Sequence, residues 1–585
     1  MKRQQVQQLE DVVFNAWDKG IGDHPVSGNG DMRNCDNSKK GILKINNIMK
    51  RLSQPAASVT FTADASTDIL TLSTGIRYPS GYGATSTAFT LSTTGVLPAG
   101  LSAATTYFAI DVSSNTIKVA SSLANSEAGT AINITDAGTG VHTLTLIVPT
   151  RIKKWANNIT YGTYAIDSTG RVWRHATGVK FSLVAGNTLT NGDGSGIAIY
   201  KDYLFVWRLN TIDCMKLADG TWTNGWQSMS SQSTSEHFPI SGIDDAVYFV
   251  DGRYVGSIEE VVSKTFDPAD GTTFVYTAQA LDLPSGLNAT CLTEIGSLLL
   301  VHTNNDTCYP WDRISSTYND PLDIPAKGIY FAITVEDVCY ILAGKTNSTP
   351  TFFVTNGYTT KFLRLLPRYL FNPDVTSSSF AASPSGACYL KNRILFGMQN
   401  TNIPTGGNYG SGIYSLDLET QAVQFERKVT AGYGTVSGIS FDTLFTKSNI
   451  VYASWNNGAD NSNGTDSDYI DNFAKYGNYA AYTETDLRQV GTAIRPRPFK
   501  QMEVLLEKKM ISADGVKISY RTGLDVSFTD FLTFDYATFG AQDKIVVPFL
   551  MTAAEIQLKV SLTGTDGSGG VNDSDSVGVR EVRLR

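Results

Sequence analysis

Seven times between residues 161 and 455 the chain repeats one phrase: an aromatic, β-branched run, a short polar turn, and a second such run. The phrases occupy residues 161–173, 196–207, 240–252, 292–302, 329–342 and 387–397, with a weaker seventh made of 438–441 and 450–455. With Tyr164, Tyr203, Val247, Leu298, Val338, Ile394 and Ile450 as markers, the spacing runs from 39 to 56 residues. That is the period of a propeller blade, a four-stranded sheet that cannot bury both faces until neighbours stack on it. Several phrases continue into a further short strand, at Thr211, Thr351 and Gly412. No WD or kelch signature accompanies the repeat. Period alone therefore carries the reading of a β-propeller with six or seven blades, and a string of separate sandwiches is the alternative.

Composition agrees with an all-β fold. Charged residues are 17% of the chain, with 52 Gly, 27 Tyr and 27 Phe, a mixture suited to half-buried strands joined by tight turns. Lys and Arg number 47 against 55 Asp and Glu, a net charge of −8. A broad nucleic-acid grip needs a basic face, because neutralised phosphates supply most of the affinity. This balance disfavours such a grip but leaves room for DNA that slides past without being held. The start of the chain has no apolar run of signal-peptide type, and no stretch has the length of a membrane span. The expectation is a soluble protein made in the cytoplasm.

Four regions follow. Residues 1–52 read as an N-terminal arm plus the first strand of the propeller domain. Within it, Val6, Leu9, Val13 and Trp17 are spaced for one face of a short helix over 1–17. Residues 18–41 are Gly-, Asp- and Asn-rich without a period, as in an ordered arm pinned outside a neighbour, and 41–47 alternates like a strand. Residues 53–146 are nearly free of charge and hold seven short alternating runs, which describes a small inserted β-sandwich or barrel. A loop tolerates such an insertion because closure entropy rises slowly with length. Residues 147–490 are the propeller. Residues 491–585 form a C-terminal β-sandwich, or strands that close and cap it.

The chemistry of catalysis is sparse. The five histidines, His24, His142, His175, His237 and His302, are scattered, and none sits in a nucleophile-elbow or metalloprotease motif. The glycines at 432–438 precede a strand, so no helix N-terminus waits there for a phosphate. Two oxygen-rich segments, 460–471 and 564–575, lack the register of a calcium loop and read as solvated hairpin tips. Among six cysteines, Cys291 and Cys308 are candidates to bridge neighbouring strands, but free buried thiols are the plainer expectation. Trp207, Trp222, Trp226, Trp311 and Trp455 are candidates for a glycan platform, set against ordinary blade packing. No catalytic, cofactor or metal residue is assigned, and the chain is expected not to be an enzyme.

Two segments carry a resemblance. GVLPAGLSAATTYFAI at 95–110 with ITDAGTGVHT at 134–143 resembles a small β-domain that recurs in tailed-bacteriophage virion proteins. WDKGIGDHP at 17–25, MRNCD at 32–36 and GILKI at 41–45 are similar to the start of propeller-type phage structural proteins. The order of propeller and then terminal strands such as EIQLKV at 555–560 and VREVRL at 579–584 resembles the tail hub, or nozzle, proteins of short-tailed phages. The extra inserted domain departs from the shorter hubs. The resemblance implies a virion tail component, a ring-forming and commonly hexameric subunit that lines the DNA-exit channel. It implies identical subunits, other tail or connector proteins and passing DNA as partners, with Trp17, Asp23, His24, Met32 and Arg33 as subunit contacts. The alternative is a receptor- or glycan-binding virion protein, such as a fibre or decoration, whose partner is a host-surface glycan.

Overall fold

A computed structural model describes residues 12–14, 31–33, 35–36, 44–45, 50–51, 58–76, 83–149, 151–175, 181–184, 195–208, 210–229, 237–243, 246–260, 274–344, 350–366, 380–400, 411–427, 439–447, 449–457, 462–467, 481–484, 488–490, 496–510, 514–523, 526–564 and 578–585. Between residues 152 and 467 the chain lays down seven antiparallel sheets in succession. Their first strands are Ile152–Asn158, Gly196–Tyr200, Ile240–Ile243, Ala289–Ile295, Ile329–Val335, Ala387–Leu390 and Ile439–Lys447. Each packs beside the next, and the seventh returns to the first, so the sheets close into a seven-bladed propeller. All seven sequence markers fall on the second strand of a blade. These strands sit between neighbouring blades and are covered on both faces. Tyr203–Trp207, Ala246–Asp251 and Leu298–Thr303 are accordingly buried at every position. That is why they read as continuous apolar runs rather than as alternation.

The ring closes with chain from before the insertion. Lys50–Arg51 pairs with Ser462–Ser467 and supplies the fourth strand of the seventh blade. Arg151 and Lys153 of the first blade reach Asp442 of the seventh, at 2.5 and 3.5 Å. Trp155 stacks on Phe445, with ring centroids 4.8 Å apart. The oxygen-rich segment at 460–471 is corrected here: Ser462–Ser467 is a strand laid against Ile450–Asn457, not a hairpin tip. A ready partner strand overrides the poor strand propensity of Ser, Asn, Gly and Asp. Beyond Gly564, the second such segment, 564–575, lies outside the described residues, as do the glycines at 432–438.

The inserted region is a closed six-stranded barrel, the second of the two arrangements its runs allowed. Every strand has two partners. His142–Leu146 pairs with both Ser58–Asp64 and Ala88–Thr93, so no edge remains to template pairing with another chain. Of the seven runs expected as strands, the one at 132–134 forms none: residues 131–138 run without regular structure after a short helix, Leu123–Ala128. Ser122 accepts the Asn125 N–H to start that helix, and Gly129 ends it in the left-handed conformation. The barrel docks over the closing seam, where its Ala88, Phe108 and Ala120 join Ile152, Trp173 and Phe181 of blade one and Tyr452 of blade seven. Arg174 pairs with Glu127 across this junction.

The C-terminal strands form two facing sheets. One orders Val12–Phe14, Val579–Leu584, Arg497–Leu506 and Lys544–Ala553. The other orders Ala481–Glu484, Glu555–Gly564, Asp514–Arg521 and Thr529–Asp535, and it runs on through Asp31–Arg33 to the outer strand of blade six, Val423–Arg427. Met502, Val504, Ile518, Val560 and Val582 fill the space between them, in one core with Phe352, Phe396 and Tyr414 of the propeller. The helix expected over 1–17 is therefore corrected in its described part. Val12–Phe14 is a strand on Val582–Leu584, because an open sheet edge offers three β-favouring residues more than an isolated turn of helix does. Within the arm, Cys35–Asp36 also pairs with Lys44–Ile45. No helix among the described residues is long and apolar enough to cross a membrane.

Candidate functional site

The densest group of polar side chains lies at the propeller hub. In Ile152–Asn158, Ile152, Lys154 and Ala156 share the buried face, which puts a lysine where an apolar residue is expected. Lys154 is 6% exposed. Its ammonium lies 3.8 Å from the centroid of Phe238, just before blade three, and donates to Ser385 Oγ, just before blade six. Blades three and six are not neighbours of blade one, so these contacts span the hub. A cation over an aromatic face in a dry site is held by the ring quadrupole as well as by its hydrogen bonds.

Beside it, the fully buried His237 and Ser195 join the starts of blades two and three. Ser195 Oγ donates to the Trp207 carbonyl at 3.0 Å, so it accepts from His237 Nδ1 at 2.7 Å. Burial, and then the Lys154 ammonium, push the His237 pKa down to about 4. The imidazole is neutral at pH 7 and both of these hydroxyl bonds are structural.

A second cluster joins blades four and five. Across three adjacent strands Cys291 stands opposite His302, and His302 opposite Cys308. Thr293 Oγ1 bonds His302 Nε2 at 2.7 Å and lies 3.4 Å from Cys339 Sγ. Burial drives His302 down to about 3, and raises the Cys291 and Cys339 thiols to about 12 and about 11. These are inert thiols rather than nucleophiles. The bridge considered between Cys291 and Cys308 does not form: the strand bearing His302 separates them by two strand spacings, roughly 10 Å, beyond disulfide reach. Cys214, Cys291, Cys308, Cys339 and Cys388 are free and buried. No group of three or more metal-ligating side chains is placed to hold an ion among the described residues.

The tryptophans raised as a glycan platform are mostly core. Trp207, Trp226, Trp311 and Trp455 are buried and Trp222 half-buried. Of the residues expected at a subunit contact, Trp17, Asp23 and His24 lie outside the described residues. The backbone of Met32 and Arg33 is placed: it pairs with Thr483 and Tyr482, and Arg33 also lies beside Phe425 of blade six. Lys154 was missed at sequence level, although its signal was present as a lysine in register with Ile152 and Ala156. Its partners Phe238 and Ser385 are 84 and 231 residues away, and nothing local announces them.

No family model matches this chain, and no curated protein matches it. Among solved structures it is similar to the computationally designed Ika8 protein, at 11% identity over 58% of this chain and 94% of that one, with a TM-score of 0.32. It is similar to the Cps50 (Swd1) β-propeller domain of Myceliophteria thermophila, at 9% identity over 55% and 98% of the two chains, with a TM-score of 0.39. BamB from Moraxella catarrhalis matches at 11% identity over 54% and 82%, with a TM-score of 0.32.

Proposed function

We propose that this protein is a structural subunit of a bacteriophage tail, a hub or nozzle protein that forms a ring, hexameric in the family it resembles, around the DNA-exit channel. The observation that carries the reading is the hub. A gap that one lysine side chain bridges is far too narrow for a duplex, so a conduit built from this fold has to be formed between copies. The propeller, its hub bridged by Lys154, is then a wall segment. The acidic balance suits that role, since a wall that repels phosphates lets DNA pass without holding it. The arm supports it as well, because its short strands tie blade six, blade seven and both C-terminal sheets into one body.

The proposal is non-enzymatic. His175, His237 and His302 are all buried and bonded to neighbouring side chains, and the thiols beside His302 are held protonated. In this reading the protein resides in the virion, and its partners are copies of itself and adjoining tail or connector proteins. The experiment is gel filtration with negative-stain imaging of the purified chain. Rings support the hub. A monomer or trimer that adsorbs to host cells and competes with phage adsorption supports a receptor- or glycan-binding protein instead. Release of reducing sugar from host polysaccharide overturns the non-enzymatic reading.

A further inference from the structure

Two surfaces of the chain are unlike and complementary. The first is the outer face of the C-terminal sheet that ends in Lys544–Ala553. This strand has Arg497–Leu506 as its one partner among the described residues. Ile545, Val547 and Phe549 point into the core, so Lys544, Val546, Pro548 and Leu550 point out, with Val546 47% and Leu550 83% exposed. Beside them Glu503, itself 2% exposed, lies beneath Lys544 at 2.5 Å and Arg585 at 3.2 Å. The carboxylate is covered and the cations are outermost, so this face presents positive charge around an apolar stripe.

The second surface is one rim of blades four and five. In an antiparallel meander the first and third turns of a blade fall at the same end. Blade four places Ser297 and Asp312 to Tyr318 there, tied by the Arg313 guanidinium donating to the Ser297 carbonyl at 2.9 Å. Blade five places Glu336, Asp337 and Tyr358 there, and a Cβ on Gly357 would approach Ile295 to 3.0 Å, which sets the two rims side by side. Ile314 is 92% and Tyr358 71% exposed. Around them stand Asp312, Glu336 and Asp337, the first kept ionised by the Ser315 and Ile314 N–H groups that lower its pKa. Charge is also divided at larger scale. Residues 147–490 hold 32 Asp and Glu against 24 Lys and Arg, while residues 491–585 hold 12 of each.

We propose that the basic, apolar face of the C-terminal sheet in one copy docks on the acidic, apolar rim of blades four and five in the next. Large exposed apolar side chains ringed by charge mark interaction sites, and opposite charge on the two patches selects a second copy of this chain as the occupant. A contact that uses a different patch on each side repeats head to tail and closes into a ring when the rotation allows. This rests on the ring-forming reading above and names the contact that builds the ring.

The test uses the full chain and two variants, Leu550→Asp on the sheet and Glu336→Lys with Asp337→Lys on the rim, all at exposed positions. Assembly is read by mass photometry and folding by thermal melting. Each variant should keep the wild-type melting temperature and weaken assembly by about tenfold or more. An equimolar mixture should give one-to-one dimers and stop, because each pair holds one intact sheet face and one intact rim. Rings formed by either variant as readily as by wild type would overturn the contact and leave the ring reading standing. Variants that stay monomeric when mixed would overturn the head-to-tail arrangement. A wild-type chain monomeric at every attainable concentration would overturn both.

Discussion

Gly256 lies directly across the strand pair from Phe249, and a Cβ there would stand 2.2 Å from the ring. The blade has no slack, because Phe249 is also held against Trp207 of blade two, with ring centroids 5.4 Å apart. Gly256→Ala should therefore destabilise the fold by about 1–3 kcal/mol through overpacking, seen as a lower urea midpoint with an unchanged slope. The buried histidines give a second residue-scale consequence. Burial lowers the pKa of His237 to about 4 and of His302 to about 3 in the folded chain, against about 6.5 in the unfolded one. Below about pH 6.5 the unfolded chain binds protons that the folded chain refuses, so stability falls as the pH drops from about 6.5 toward about 4. The slope should approach roughly 1 kcal/mol per pH unit for each histidine. Urea midpoints at pH 7 and pH 5 read it directly, and a His302→Asn variant should show a shallower fall. Equal midpoints at the two pH values would mean that these imidazoles are not shielded.

The inserted barrel leaves and rejoins the propeller at neighbouring points, since Ser58 pairs with Thr145. It closes on its own hydrogen bonds and its own core. Replacing residues 58–146 by a short Gly-Ser linker should leave a folded propeller, with new protease sensitivity at the seam where Ile152, Trp173 and Phe181 lose their cover. Far-UV circular dichroism and limited proteolysis measure this, and global unfolding would show that the barrel is integral to ring closure. The seven second strands were legible in the sequence because burial on both faces writes a continuous apolar run, as in YLFVW at 203–207. What escaped was set by distant partners. Ser462–Ser467 became a strand because Ile450–Asn457 paired with it, and Lys50–Arg51 completes a blade whose other strands lie some four hundred residues on. Val13 belongs to the helix-spaced set of Val6, Leu9, Val13 and Trp17, yet the open edge of Val579–Leu584 decided its conformation. Lys154 was visible as an oddity of pattern, but its place at the hub depends on Phe238 and Ser385, which only the closed ring brings together.

At the scale of the whole molecule the chain is a seven-bladed propeller, its hub bridged by Lys154, carrying a barrel on its closing seam and a sandwich fused to blade six through the arm strand Asp31–Arg33. Its surplus of negative charge lies in the propeller region, and two oppositely charged apolar patches lie at separate places on the chain. In the proposed assembly, copies join through those patches and the DNA path runs between them, bounded by acidic walls. A wall of this kind has to be stiff and unreactive, which fits the buried thiols, the neutral His237 and His302 and the bridged hub. The most direct measurement is imaging of the assembled particle that contains this chain. The account predicts a closed ring of propellers at the tail, with the DNA path on the ring axis and outside every propeller hub. Copies standing singly or as trimers on the outside of the particle, away from the DNA path, would contradict it.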